Sequence, residues 1–191
     1  MHYALEYDYL QDDRGGYLEI HDGLEFEGLD SWSLGRLWPN AVVPKPIVVD
    51  LVPIEGYTGA PNDMYDENMC LMSDRMVAVL QSAGVDNLDL YPASLRNAET
   101  GESYPFQAVN IIGAVRAADL KQSVWHSHDG DALFDTEFDS LVVNENGVRD
   151  LLMFRMAENT GVILIAEKIK RVLEASKFPT LRFIDPKNLV A

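Results

Sequence analysis

Met72 to Pro92 reads MSDRMVAVLQSAGVDNLDLYP, and Ile165 to Asp185 reads IAEKIKRVLEASKFPTLRFID. Set side by side without a gap, the two stretches share their apolar positions rather than their identities: Met72 falls on Ile165, Met76 on Ile169, Val79 on Val172, Leu80 on Leu173, Leu88 on Leu181 and Leu90 on Phe183. In each, a short apolar run (Cys70 to Met72; Val162 to Ile165) leads into apolar residues at i, i+3 and i+4, then a turn, then alternation. A period near 3.6 marks one face of a helix and a period of 2 marks a strand, so each copy reads as strand, helix, strand. Ser73 is placed to cap the first helix with Asp74 in its first turn, and Gly84 can take the left-handed conformation that ends it. The second copy has Ala166 at the cap position, keeps Glu167 in the first turn, and has Pro179 to forbid helix beyond its end.

The fold these units imply is α+β: a mixed, mainly antiparallel sheet with two duplicated strand-helix-strand units packed into one body. Both helices are expected to bury their apolar stripes, Met76, Val79, Leu80 and Ala83 in one and Ile169, Val172 and Leu173 in the other. The chain has 191 residues, 47% of them hydrophobic, enough for one substantial core or two small ones built around the two units, and a single compact body is expected. No apolar run is long enough to cross a membrane, and MHYALEYDYLQDD at the start is acidic where a secretion signal would be basic, so the expected location is the cytoplasm. A lone Cys70 within an apolar run reads as a buried thiol rather than a nucleophile.

Charge divides the chain differently from the repeat. Residues 1–68 hold 14 acidic and 3 basic side chains, residues 126–150 hold 7 and 1, and the remainder sums to about +1 of a total of −16. The repeated scaffold is nearly neutral and the acidity lies outside it. An acidic surface keeps a protein dispersed, and it also steers a basic partner onto itself. Direct nucleic-acid binding is disfavoured, because phosphate contacts need clustered Lys and Arg. On this basis residues 1–68 form an acidic β-rich segment, and 69–191 an α+β domain holding the repeat at 71–92 and 164–185.

Along the chain, YLEIHDGLEFEG alternates on both sides of Asp22-Gly23, the signature of a hairpin. A three-residue turn, His21-Asp22-Gly23, pairs Ile20 with Leu24 and Leu18 with Phe26, leaving Glu19, Glu25 and Glu27 together on the other face. That face would gain from a cationic partner; charged edges also prevent strand-to-strand aggregation. IVVDLVP at 47–53 reads as a buried strand, 54–69 as loop, 97–103 as a turn, and PFQAVNIIGAVRAADL as a central strand.

His126-Ser127-His128, with Thr136 and Asp139 downstream, approaches the H-x-H-x7-S-x2-D spacing of the JAMM metalloproteases, with Thr in place of Ser. Two His and an Asp could hold zinc with one position open for water. Against this, Asp129-Gly130-Asp131 is a turn sequence and TEFDSLVV is β-prone, whereas the JAMM arrangement carries its Ser and Asp on a helix. No other catalytic, metal or cofactor motif is present, and the reading is of a non-enzymatic protein with no cofactor.

Three stretches, LMSDRMVAVLQSAGVDNLDLYPASL at 71–95, VNIIGAVRAADLKQS at 109–123 and LLMFRMAENTGVILIAEKIKRVLEASKFPTLRFI at 151–184, give the chain a resemblance to a family. It resembles a bacterial polymorphic-toxin immunity family, the eleventh numbered immunity class, formerly a domain of unknown function. Asp74 replaces the family's first helix-opening Glu and Ala166 its second Ser, and the likeness covers roughly the C-terminal two-thirds. The resemblance implies an antidote that binds its own toxin in the cytoplasm, and it supplies no catalytic residues. The expected partner is a cognate basic toxin, of which a nuclease is the natural kind. Contacts are expected from Glu19, Glu25, Glu27, Asp129, Asp131, Glu137 and Asp139. Two readings stand beside it: a zinc-dependent JAMM-like hydrolase using His126, His128 and Asp139, and a general acidic adaptor. Nothing in the sequence signals an oligomeric state.

Overall fold

The computed structural model describes residues 1–21, 26, 31–38, 43–127, 130 and 134–190. In chain order the elements are β1 (His2–Tyr7), β2 (Tyr17–His21), β3 (Ile47–Ile54), β4 (Met64–Asp66), β5 (Cys70–Ser73), α1 (Asp74–Ser82), β6 (Leu88–Asn97), β7 (Ser103–Ile111), β8 (Ala114–Val115), β9 (Val124–His126), β10 (Glu137–Ser140), α2 (Glu145–Val148), β11 (Met153–Met156), β12 (Ile163–Ala166), α3 (Glu167–Ala175) and β13 (Leu181–Ile184), followed by a 3-10 turn at Pro186–Asn188.

The strands form two large sheets and a two-stranded ribbon, ordered β2-β3-β6-β7-β5-β4, β13-β1-β12-β11-β8 and β10-β9. Pairing is antiparallel except between β3 and β6 and between β11 and β8. The α+β class stands, with the units split between two sheets. In each unit the two strands joined by the helix lie on either side of a third, antiparallel strand: β7 between β5 and β6, β1 between β12 and β13. Register is kept as well as order. Ala108 of β7 faces Leu71 and Tyr91, while Ala4 of β1 faces Leu164 and Ile184, the residues that the sequence alignment of the two copies makes equivalent.

The duplication reaches further than the apolar pattern suggested. β4 joins β5 in a hairpin as β11 joins β12, with Met64 facing Met72 and Met153 facing Ile165. Residues 54–69 are thus not loop throughout; Met64 and Tyr65 are both fully buried in a strand too short to show a period. PFQAVNIIGAVRAADL is likewise two strands in two sheets. Gly113, at φ +111°, turns the chain out of β7 and into β8, a conformation that residues with a Cβ rarely adopt. Three strand prolines, Pro53, Pro92 and Pro105, each sit just past the end of one pairing, where their strand has a neighbour on one side only and the missing N–H costs no ladder bond.

Both helices bury their stripes in one cluster between the sheets, where Met76 and Leu80 of α1 and Ile169 and Leu173 of α3 meet Met72, Val109, Ile163 and Ile165. Val79 and Val172, expected inside, are half-buried at its margin. The other face of the six-stranded sheet holds a second core of Leu18, Val49, Leu51, Leu95, Trp32 and Trp38. That sheet curls until its two edge strands approach, with Tyr65 Oη of β4 3.5 Å from the Leu18 carbonyl of β2. A third core packs Phe138, Leu141 and Val148 over Ala4, Phe154 and Leu164. Strand positions covered on both faces are apolar in succession, which is why Cys70 to Met72 and Ile163 to Ile165 read as runs rather than alternations.

Where the two hairpins meet, Arg155 of β11 forks onto Asp66 of β4, Nη2 to Oδ1 at 2.7 Å and Nη1 to Oδ2 at 3.2 Å. These are equivalent positions of the two copies, carrying opposite charge. Arg155 is 2% exposed; burial opposes its charge, and the Asp66 carboxylate holds it protonated.

Candidate functional site

Glu19 lies on β2 between Leu18, which enters the second core, and Ile20, so alternation turns its carboxylate to the opposite face with Tyr17 and His21. β2 pairs with β3, Glu19 facing Val52. The expected second strand of the hairpin, with Glu25 and Glu27, lies outside the described residues. Around Glu19 the fold gathers side chains that alternation alone did not bring to notice. Tyr9 packs its ring on Tyr17 at 4.4 Å between centroids and near Tyr65, and Tyr7 meets both Tyr9 and Tyr65 edge to face. The hydroxyls of Tyr7 and Tyr9 both donate to Glu67 Oε1, at 3.2 and 2.8 Å. Asn62 fixes this turn of chain, accepting from Leu10 N–H through Oδ1 and donating to the Asp8 carbonyl.

The electrostatics follow from the packing. Burial, Tyr9 and the Glu67 carboxylate push the Tyr7 phenol far above its ordinary value. Tyr9 is pushed up to about 12, by burial first, then by Glu67, with Glu19 adding to it. Glu19 and Glu67, 48 residues apart in sequence, therefore act on one tyrosine. Beside them a cleft of about 200 Å³ is lined by Leu5, Glu6, Tyr7, Met64, Asp66 and Gly161. A patch of half-buried tyrosines rimmed by carboxylates suits an incoming Lys or Arg, whose charge finds acceptors and whose stem finds ring faces. Tyrosine is also enriched among residues that dominate interface energetics.

The second acidic region is separate. β9 and β10 are antiparallel, with His126 opposite Glu137 and its Nε2 2.6 Å from Glu137 Oε2. Phe138 is buried in the third core, so Glu137 and Asp139 face solvent. Hydrogen bonds from Thr136 N–H to the Glu158 carbonyl and from Leu141 N–H to the Pro186 carbonyl hold the strand in place. No cation among the described residues pairs with Asp139. Glu19 and this ribbon belong to different cores and different sheets, so the expected contact residues do not form one cluster. Asp129 and Asp131 lie outside the described residues.

His128 also lies outside them. Thr136 is fully buried, and Glu137–Ser140 is a strand, so the helix on which the JAMM arrangement carries its Ser and Asp is replaced by β-structure. Among the described residues no group of three or more His, Cys, Asp or Glu is placed to hold a metal ion. Cys70 is fully buried, and burial raises its thiol well above the ordinary value.

The molecule is thus an internally duplicated α+β protein with tyrosines and carboxylates gathered around Glu19 and Glu67 and a separate acidic ribbon at Glu137 and Asp139. A family model described as "Immunity protein family (Imm11)" matches residues 1–188, and the chain belongs to that family. The match includes the N-terminal third, which the sequence motifs had left aside. No curated protein matches the chain. Among the described residues no helix is long and apolar enough to cross a membrane.

Proposed function

We propose that this protein neutralises a cognate bacterial toxin by stoichiometric binding, with no chemistry of its own, and that its acidic surface makes the contact. The observation that carries the reading is the family match over residues 1–188. The tyrosine patch around Glu19 and Glu67 supports it by offering both charge and rigid apolar area. The charge asymmetry supports a basic toxin: a net −16 protein draws a cationic surface rapidly, and exposed charge pairs weaken as salt screens them. A toxin that attacks nucleic acid is basic for its own reasons, which makes a nuclease the natural candidate. Blocking its active site requires only a complementary interface, about 1,600 Å² in total for a stable pair.

Calorimetric titration against the toxin encoded beside this chain, in catalytically dead form and at low and high salt, is the test. Tight one-to-one binding that weakens with salt is expected. Glu19→Lys with Glu67→Lys should weaken it by at least about tenfold, each reversed charge at a close pair costing on the order of 1 kcal/mol or more. The ribbon variant Glu137→Lys with Asp139→Lys measures the other acidic region separately. No binding at either salt overturns the reading.

A further inference from the structure

Phe134 stands just before the ribbon strand β10, with φ +67°. Left-handed backbone is ordinary at glycine and tolerable at a short polar residue, but it crowds the Cβ of a bulky one. Glu55 and Lys177 share it among the described residues, and both are charged side chains in turns. Phe134 differs from them in chemistry. Its ring joins none of the three cores and is 57% exposed, and among the described residues no other Phe, Tyr or Trp is left as open to solvent. The backbone around it is nevertheless fixed. Phe134 N–H donates to the Ala157 carbonyl at 2.8 Å, the Phe134 carbonyl accepts from Thr160 N–H at 3.2 Å, and Thr136 N–H donates to the Glu158 carbonyl at 2.9 Å. The turn that receives these bonds is held in its place by Glu158, whose buried carboxylate accepts from the N–H groups of Ala117 and Ala118. The chain therefore presents an exposed aromatic ring on a rigid frame, in a conformation that a smaller residue would adopt more readily.

We propose that Phe134 is the apolar anchor of the toxin interface, entering a pocket on the toxin rimmed by Lys or Arg. The proposal rests on the toxin-binding function proposed above and names the residue on which that contact is centred. Strained backbone persists at sites where function maintains it, and aromatic side chains are concentrated at the centres of interfaces, where a few residues carry most of the binding. A ring already held in place loses little freedom on docking. The charge of the rim follows from what lies beside the ring. Thr136 and Phe138 are buried, so alternation turns Asp135, Glu137 and Asp139 outward, and all three are exposed. Among the described residues no cation pairs with Asp135 or Asp139, and Glu137 has His126. Phe134 to Asp139 is about 17 Å of extended chain, which fits within the footprint of about 800 Å² that each partner contributes to a stable pair. A basic toxin thus meets one ring and three carboxylates in a single stretch of chain. The two kinds of contact act on different rates: a seated anchor slows dissociation, whereas exposed charges at the rim speed association and make it depend on salt.

The experiment measures association and dissociation rates of the whole protein with the catalytically dead toxin encoded beside it, by surface plasmon resonance at low and high salt, together with melting curves of each variant. Phe134→Gly is expected to lose at least about tenfold in affinity through faster dissociation, with its salt dependence unchanged. Its melting temperature should equal or exceed the parent's, because glycine takes the left-handed conformation freely. Phe134→Tyr, which keeps the ring, should keep most of the affinity. Glu137→Lys with Asp139→Lys should instead slow association and flatten its dependence on salt. Parent-like affinity in Phe134→Gly overturns this proposal and leaves toxin binding itself standing. A melting temperature several degrees below the parent's overturns it too, since the ring would then be holding this chain together rather than its partner. No binding by the parent protein overturns the toxin-binding function and this proposal with it.

Discussion

The two copies share strand order, register and helix length, yet they fasten their helices differently. In the first, Ser73 accepts the Met76 N–H at 3.2 Å and donates to Asp63, and Gly84 takes the left-handed turn at φ +101°. In the second, Ala166 makes no side-chain cap, and Lys177, the equivalent of Gly84, is forced to φ +55°. Both helices are nevertheless nine residues long. Caps and propensities adjust a helix by about 1 kcal/mol each, whereas burial of its apolar face against two sheets decides whether it exists. The second copy adds ion pairs at i, i+4, which contribute a few tenths of a kcal/mol apiece.

If burial dominates in both copies, Leu80→Asp and Leu173→Asp should each unfold the protein, since both residues are at most 1% exposed and the new carboxylate would find no partner. Circular dichroism and elution volume check this; a soluble, cooperatively melting variant at either site would break the equivalence. Next in size is the pair that joins the copies. Asp66→Ala leaves the Arg155 charge buried and uncompensated and should cost about 3–5 kcal/mol in urea unfolding. Joint replacement by Asp66→Leu and Arg155→Met should cost markedly less, and equal losses would show that the ion pair does more than neutralise itself.

Smaller effects separate the two helix starts. Ser73→Ala should cost about 1 kcal/mol and Ala166→Ser should gain a similar amount, so their shifts in denaturation midpoint should have opposite signs. Smallest is Lys177→Gly, which relieves a left-handed residue and should stabilise by no more than about 1 kcal/mol, partly offset by the freedom glycine adds to the unfolded chain. A loss at Lys177→Gly would mean that the lysine side chain contributes more than its backbone strain costs.

The candidate site was legible only in part. Glu19, Glu137 and Asp139 were marked by charge and alternation, and their strands place them at the surface. Tyr7, Tyr9 and Glu67 were not marked, because nothing in MHYALEYDYL or MYDEN distinguishes a tyrosine over an acidic cleft from one on an ordinary strand. Their meeting depends on Asn62, which ties the chain after β1 to the turn before β4 through bonds spanning more than fifty residues.

By itself the sequence determined the two helices, their bounding strands, the hairpin at His126 and Glu137, and the acidic character of what surrounds them. These follow from local periods and composition, which each segment carries without reference to the rest. The tertiary structure alone decided that the copies lie in two sheets, that β1 from the chain's start fills in one copy the place β7 fills in the other, and that Asp66 meets Arg155. Such pairings rest on contacts between residues far apart along the chain, and a period of 2 or 3.6 says which face is buried but never against what.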